Sequence, residues 1–305
     1  MPPLSISTSW NASRHSEGEP MMEELCELGF THVAIGQGLP IDKWKGVKES
    51  VEKGLIRVTS LDNFCPRPAE FPVLSPSFCQ FSEHEASRRQ TAVRDTLITV
   101  ENAASVGAKV VILHLGEAGP RGITRKLMQN FYRGSYLKKT FVHNKIKAVR
   151  HRQKVSQSIL KRVRECLSKV VEAAQEHKIK LGFELGESFE DFPNNIEMAE
   201  LLKDFPTEVV GYWHDFGNSA AQDFLTWHSH EETLDQFRNR VFGCHIHDWR
   251  APKSDHLSLG HGNLDFPSLL QHLPVDYLPV LEMDTETTSE EIINSKKLWD
   301  SYGNN

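Results

Sequence analysis

The sequence predicts a single (β/α)8 barrel, and three observations carry that prediction. Short β-rich runs alternate with helical patterns eight times in 305 residues. The runs are continuously apolar instead of alternating, as expected of parallel strands buried on both faces. Five of them end in a His, Asp or Glu, namely His114, Glu184, Asp215, His245 and Glu282. In a barrel, those strand C-termini share one face, where the loops after them build a site. Eight such units with helical crossovers close most economically into one barrel, so residues 1–305 are expected to form one domain.

In chain order, strand one is expected over 4–9 and helix one over 20–28, stopped by Gly29. Strand two follows at 32–35, and a helix with Trp44, Val47 and Val51 on one face ends at Gly54. Strand three covers 56–61, and a Pro-rich loop (Pro66, Pro68, Pro72, Pro76) leads to a long helix over 83–105. Strand four is 110–113. Helix four runs to about 177, with Val155, Ile159, Val163, Leu167, Val170 and Ala174 keeping a helical period. Strand five is 179–183, helix five centres on 198–202, and strand six is 209–213. A helical stretch over 219–240 breaks near Trp227, before strand seven at 241–244. Helix seven (266–272), strand eight (278–281) and helix eight (289–301) complete the ring.

No apolar run approaches the roughly 18 residues that cross a bilayer. The opening MPPLSISTSW lacks a basic n-region and an apolar core, so a cytoplasmic protein without membrane contact is expected. Cys26, Cys65, Cys79, Cys166 and Cys244 are odd in number and form no CxxC pair, which argues for reduced core thiols instead of a disulfide framework or a thiolate zinc site. The net charge of −6 hides an asymmetry: residues 121–164 hold 14 Lys and Arg and no acid, leaving 21 basic against 41 acidic residues elsewhere. Residues 116–152 therefore read as a basic insertion over the active face, where Arg121, Arg125, Lys126, Arg133, Lys138 and Lys139 would meet an anionic substrate group. From Lys145 to Arg164 the cations read as the wet face of helix four.

The stretch CHIHDWRAPKSDHLSLGHGNLDF packs His245, His247, Asp248, Asp255, His256 and His261 just after a strand, a density of imidazole and carboxylate that suits a divalent metal or acid/base chemistry. Strand alternation sorts the candidates. Glu184 shares its face with Gly182, Asp215 with Trp213, His245 with Gly243 and His247, and Glu282 with Val280, opposite the residues that meet the helices. His214 falls on the helix side and is expected to be structural.

On LHLG, ELGE, HDFGNS, HIHD, DHLSLGHGNLDF and LPVLEMD, in this order, the chain resembles the xylose-isomerase-like, AP-endonuclease-2-type barrels grouped as sugar phosphate isomerases/epimerases. The resemblance covers nearly the whole chain. In the epimerase branch one divalent ion is held by Glu, Asp, His and Glu from strands five to eight, which implies Glu184, Asp215, His245 and Glu282 here. Mn²⁺ is the expected ion, with Co²⁺, Mg²⁺ or Zn²⁺ also compatible. Within HIHD the first His matches the ligand, because the family shows His, two residues, then Asp or Glu. The resemblance further implies a substrate contact from Glu190 and places His247 either behind the ligands or facing substrate. His114, His256 and Arg250 are also expected to meet substrate, and Trp10 and Trp249, at strand ends, to stack on a sugar ring. A nuclease branch, endonuclease IV, uses three zinc ions. His114 and His256 match two of its ligands, but strand three ends SLDNF without a His, Asn218 stands where a His is needed, and Ser254 stands where an Asp is needed.

The implied function is a metal-dependent isomerase or epimerase acting on a sugar, sugar phosphate or keto-sugar. Glu184 and Glu282 would remove and return a proton next to a carbonyl through an enediolate. A keto-glycoside lyase needs the same first step, and a nuclease of damaged DNA is the reading from another class. A small-molecule substrate is expected, nucleic acid is not, and a homo-oligomer is compatible with the sequence.

Overall fold

The computed structural model describes residues 2–68, 80–119, 122–252 and 254–303. Pro72, Pro76, Cys79 and Arg121 lie outside them. Eight parallel strands close into a barrel: β1 (Ser5–Ser7), β2 (His32–Ile35), β3 (Arg57–Asp62), β4 (Val110–Leu113), β5 (Lys180–Glu184), β6 (Val210–Asp215), β7 (Val241–Ile246) and β8 (Leu278–Leu281). Each pairs with its sequence neighbours, and β1 closes on β8 with Ser5 opposite Val280 and Ile6 opposite Leu281. The fold is therefore the (β/α)8 barrel that the apolar runs predict.

The alternation sorts side chains as expected. Leu181, Phe183 and Tyr212 face outward into the main core, whereas Ala34, Val110, Ile112, Trp213 and Val280 form a separate cluster inside the ring. Trp213 occupies space that two glycines leave open. A Cβ on Gly243 would lie 2.3 Å from its Cζ3, and one on Gly182 would lie 3.1 Å from its Cβ. The indole is fully buried and sits edge-on beneath His245, ring centres 5.2 Å apart.

Outside the ring lie α1 (Gly18–Glu27), α2 (Ile41–Glu52), α3 (Ala86–Ser105), α4 (Ile123–Tyr132), α5 (Lys139–His177), α6 (Asn195–Asp204), α7 (Phe216–Phe224), α8 (His230–Phe237), α9 (Phe266–Leu269) and α10 (Ser289–Tyr302). The helical stretch after β6 breaks at 225–229, as Trp227 suggested, with Thr226 in the left-handed region (φ 56°). α9 is one turn continued as a 3-10 turn over Leu270–His272, so the two together span the expected 266–272. The insertion is a helical hairpin made of α4 and the first half of the 39-residue α5. Its apolar side, Leu127, Phe131 and Phe141, packs on Phe224 and Leu225 at the end of α7, and Met128 reaches Trp249.

Candidate active site

β5, β6 and β7 each extend one or two residues further than their apolar runs, so Glu184, Asp215 and His245 are held inside the sheet ladder and not on loops. Glu282 follows β8 and prolongs its ladder, its N–H donating to Ile246 O at 3.0 Å. The four side chains meet at the C-terminal mouth. His245 Nδ1 lies 3.2 Å from Glu282 Oε2, 3.4 Å from Glu184 Oε1 and 3.7 Å from Asp215 Oδ2. Three carboxylates thus converge on one imidazole nitrogen in a buried setting.

A fourth carboxylate, Asp62 at the end of β3, faces the other nitrogen, with Oδ1 3.8 Å from Nε2. Asp62 Oδ1, Glu184 Oε2 and His245 Nε2 are buried without a hydrogen bond. Such atoms are costly unless something polar or cationic answers them. Burial works against a charged His245, but Glu282, Glu184 and Asp62 outweigh it and hold the imidazole well above its ordinary range. Asp62 takes the opposite share: burial pushes its carboxyl up to about 7. The donor set is hard oxygen plus one imidazole, and it fits a divalent cation.

Behind this set stands a second row. His247 Nε2 is 3.2 Å from Asp215 Oδ2, and its Nδ1 is 3.2 Å from Asp255 Oδ1. Burial works against charging His247, yet Asp215 and Asp255 on either side hold it well above the imidazole range. Burial also opposes a charged Asp215, but His247 and His245 keep its carboxyl far below the usual carboxylate range. His256, in the left-handed region at φ 51°, stacks on His247 at 4.2 Å and pairs with Asp255 at 3.0 Å. Gly217 of HDFG makes room for this row, since a Cβ there would lie 2.1 Å from His247 Cε1. Asp248 of HIHD serves the loop. Its carboxylate accepts from the N–H groups of Trp249, Gly260, Gly262 and Leu264, which folds GHGNL around one side chain.

Asp62, Glu184, Asp215, His245, Asp255, His256 and Glu282 line a cavity of about 390 Å³ together with Gln37, Gln80, His114, Glu117, Glu187 and Asn218, whereas His247, expected to meet substrate, is fully buried behind that wall. His114 Nε2 is 3.3 Å from Glu184 Oε2, and His256 Nε2 is 3.9 Å from Glu282 Oε2. Each of the two glutamates therefore has an imidazole beside it. Glu187, which burial and then Asp255 push up to about 7, and Asp62 were not singled out from the sequence. Asp62 had a signal: it ends its strand on the same face as Ser60, the rule that found the other four.

Other expected contacts go elsewhere. Glu190 accepts from Gly122 N–H (2.8 Å), Thr124 N–H (3.2 Å) and Thr124 Oγ1–H (2.6 Å), so its carboxylate anchors the start of α4 and does not line the cavity. Trp10 is buried in the core and donates to Thr287 O at 2.7 Å. Trp249 is buried against Phe224, while Arg250 is exposed on the short hairpin of Asp248–Arg250 and Ser254–Leu257. His214 is fully buried on the outer side between Tyr212 and His230. Arg125, Lys126, Arg133, Lys138 and Lys139 are exposed on the hairpin, and among the described residues no Lys or Arg lines the cavity.

A closed parallel barrel with carboxylates and imidazoles gathered at the strand C-termini defines the class: a TIM-barrel protein with a cation-ready mouth. Within that class, the chain belongs to the family of xylose isomerase-like TIM barrels, whose sequence pattern matches residues 22–299. It is 26% identical over 145 residues to the uncharacterised protein MJ1311 of Methanocaldococcus jannaschii, a match spanning 45% of this chain and 46% of that protein. Among solved structures, a D-tagatose 3-epimerase-like protein shares the fold at a TM-score of 0.68 and 20% identity, over 98% of this chain and 96% of its own. The 3-keto-D-glucoside 4-epimerase of E. coli does so at 0.67 and 14%, over 98% of each chain. The D-psicose 3-epimerase of Clostridium cellulolyticum H10, solved with D-tagatose, does so at 0.68 and 11%, over 98% of this chain and 99% of its own. At these identities the likeness is one of fold.

Proposed function

We propose that this protein is a divalent-metal-dependent sugar epimerase or isomerase that works by proton transfer at a carbon next to a carbonyl. The observation that carries the reading is the convergence of Glu184, Asp215 and Glu282 on His245 Nδ1 at the floor of the cavity. Those four side chains would hold one ion, Mn²⁺ for preference, with His247 orienting Asp215 from behind. When bound, the cation supplies Lewis acidity that acidifies the C–H beside a carbonyl and offsets charge growing on its oxygen.

The remaining chemistry falls to the chain. Glu184 at the end of β5 and Glu282 after β8 both reach His245 Nδ1 from different strands, and one would remove the proton while the other returns it. His114 beside Glu184 and His256 beside Glu282 are placed to hold substrate hydroxyls while those carboxyls change protonation. Among the described residues the cavity wall has acids and amides but no Lys or Arg, which favours a neutral polyhydroxy carbonyl compound over a sugar phosphate. The same acidic wall works against a nucleic-acid phosphate backbone.

The test is solvent exchange. Incubated in heavy water with Mn²⁺ and a panel of unphosphorylated ketoses, the enzyme should incorporate deuterium at the carbon next to the carbonyl, and Glu184→Gln or Glu282→Gln should abolish incorporation. Turnover with complete retention of the substrate hydrogen would sink this assignment and call for a hydride shift.

A further inference from the structure

The insertion carries a second concavity that the barrel chemistry does not use. An open recess of about 510 Å³ between α4 and α5 is lined by Lys126, Asn130, Lys139, Thr140, His143 and Asn144. Every lining side chain can donate a hydrogen bond, and none is a carboxylate. Among the described residues, none of the six side chains has an ion-pair or hydrogen-bond partner. Three other cations of α5 are already paired. Lys145 donates to Leu225 O and Thr226 Oγ1, Arg152 pairs with Glu197, and Arg164 pairs with Asp204. No acid occurs between residues 121 and 164, so no carboxylate of the hairpin competes for the recess. α5 begins here without a side-chain cap or an acid in its first turn, so the positive end of a long helix adds to the field of the two ammonium groups.

From this we infer that the α4–α5 recess is a binding site for a phosphate monoester dianion, separate from the barrel cavity. Two ammonium groups match its charge, His143 and the amides match its remaining oxygens, and the volume lies in the range of small-molecule pockets. Lys126 comes from α4, while Lys139 and His143 come from α5, so a bound phosphoryl group bridges the two helices. α4 is in turn anchored to Glu190, next in sequence to the cavity-lining Asp191. Occupancy therefore stiffens the wall beside the mouth without contributing to it. The inference does not depend on the sugar chemistry proposed above.

The experiment titrates the full chain with inorganic phosphate and, separately, with a hexose phosphate, reading binding by calorimetry and by the shift in Tm. Saturable binding is expected. Lys126→Gln combined with Lys139→Gln should weaken it about ten-fold or more, and Asp215→Asn should leave it unchanged. Both lysines are exposed, so an unchanged Tm without ligand will certify the fold of the double variant. Tighter binding of the hexose phosphate than of inorganic phosphate assigns the rest of the recess to the sugar, and equal binding assigns the site to the phosphoryl group alone. No saturable binding of either probe, or binding that survives the lysine changes and vanishes in Asp215→Asn, would overturn the inference.

Discussion

The barrel mouth and the basic hairpin lie near each other on the molecule and handle charge in opposite ways. At the mouth the charges are buried, of mixed sign, and held by sheet ladders, so each carboxylate and imidazole feels its neighbours through a weak dielectric. On the hairpin the charges are of one sign, exposed and mostly unpaired, and water screens them. The first arrangement displaces ionisation strongly. Burial and neighbouring acids push Asp62 and Glu187 up to about 7, while neighbouring imidazoles hold Asp215 far down. Charge density in a sequence therefore says little about chemistry until burial is known.

Removing a charge at the mouth should have the largest effect. Asp215→Ala takes away one of three carboxylates on His245 Nδ1 and the partner of His247, and should lower Mn²⁺ affinity and kcat/KM by about 10²-fold or more. An affinity equal to the parent's in a metal titration would dissolve the contrast between the two regions. An intermediate effect is expected at Glu190, where the two regions meet. Glu190→Gln weakens the charge-assisted bonds to Gly122 and Thr124, at a cost of about 1.5–3 kcal/mol, read as a fall in Tm with unchanged metal content. Loss of metal together with the fall in Tm would mean that Glu190 serves the mouth directly. The smallest effect belongs to the outer face of the hairpin. Changing Arg125 and Arg133 to Gln should leave KM for a neutral sugar within about two-fold, because neither lines the cavity. A marked rise in KM would return these arginines to the substrate, as their place in the sequence first suggests.

Much of the mouth was legible because strand alternation is a strict rule. Once Trp213 and Val280 are assigned to the lumen, Asp215 and Glu282 must follow them, and the structure brings both to His245. What was not legible depends on partners distant in sequence. Glu190 meets Thr124 across 66 residues, and no local pattern forecasts that bond. Trp10 and Trp249 stand near strand ends, where a stacking role is natural, but large apolar rings gain more from burial, and both are buried instead. The periodicity of helix four marks its apolar side correctly, but Arg152, expected on the wet face, is buried against Glu197. It cannot tell that α4 would fold back on α7 and carry the basic residues away from the cavity. Asp62 lies one residue past the apolar run of its strand, and only the ladder pairing of Asp62 with Ile112 places it inside the barrel's rim.

The indole of Trp213, wedged where Gly182 and Gly243 leave room, stops the barrel like a cork. The mouth is a cup with one rim and no drain. Whatever enters must back out through the same opening, so product and fresh substrate queue at one doorway. If the proposed reaction is an epimerisation, whose two sides differ at a single stereocentre, each molecule released is a near-copy of the one waiting. Under the proposed function, exchange at the rim would then bear on turnover alongside the chemistry at the floor.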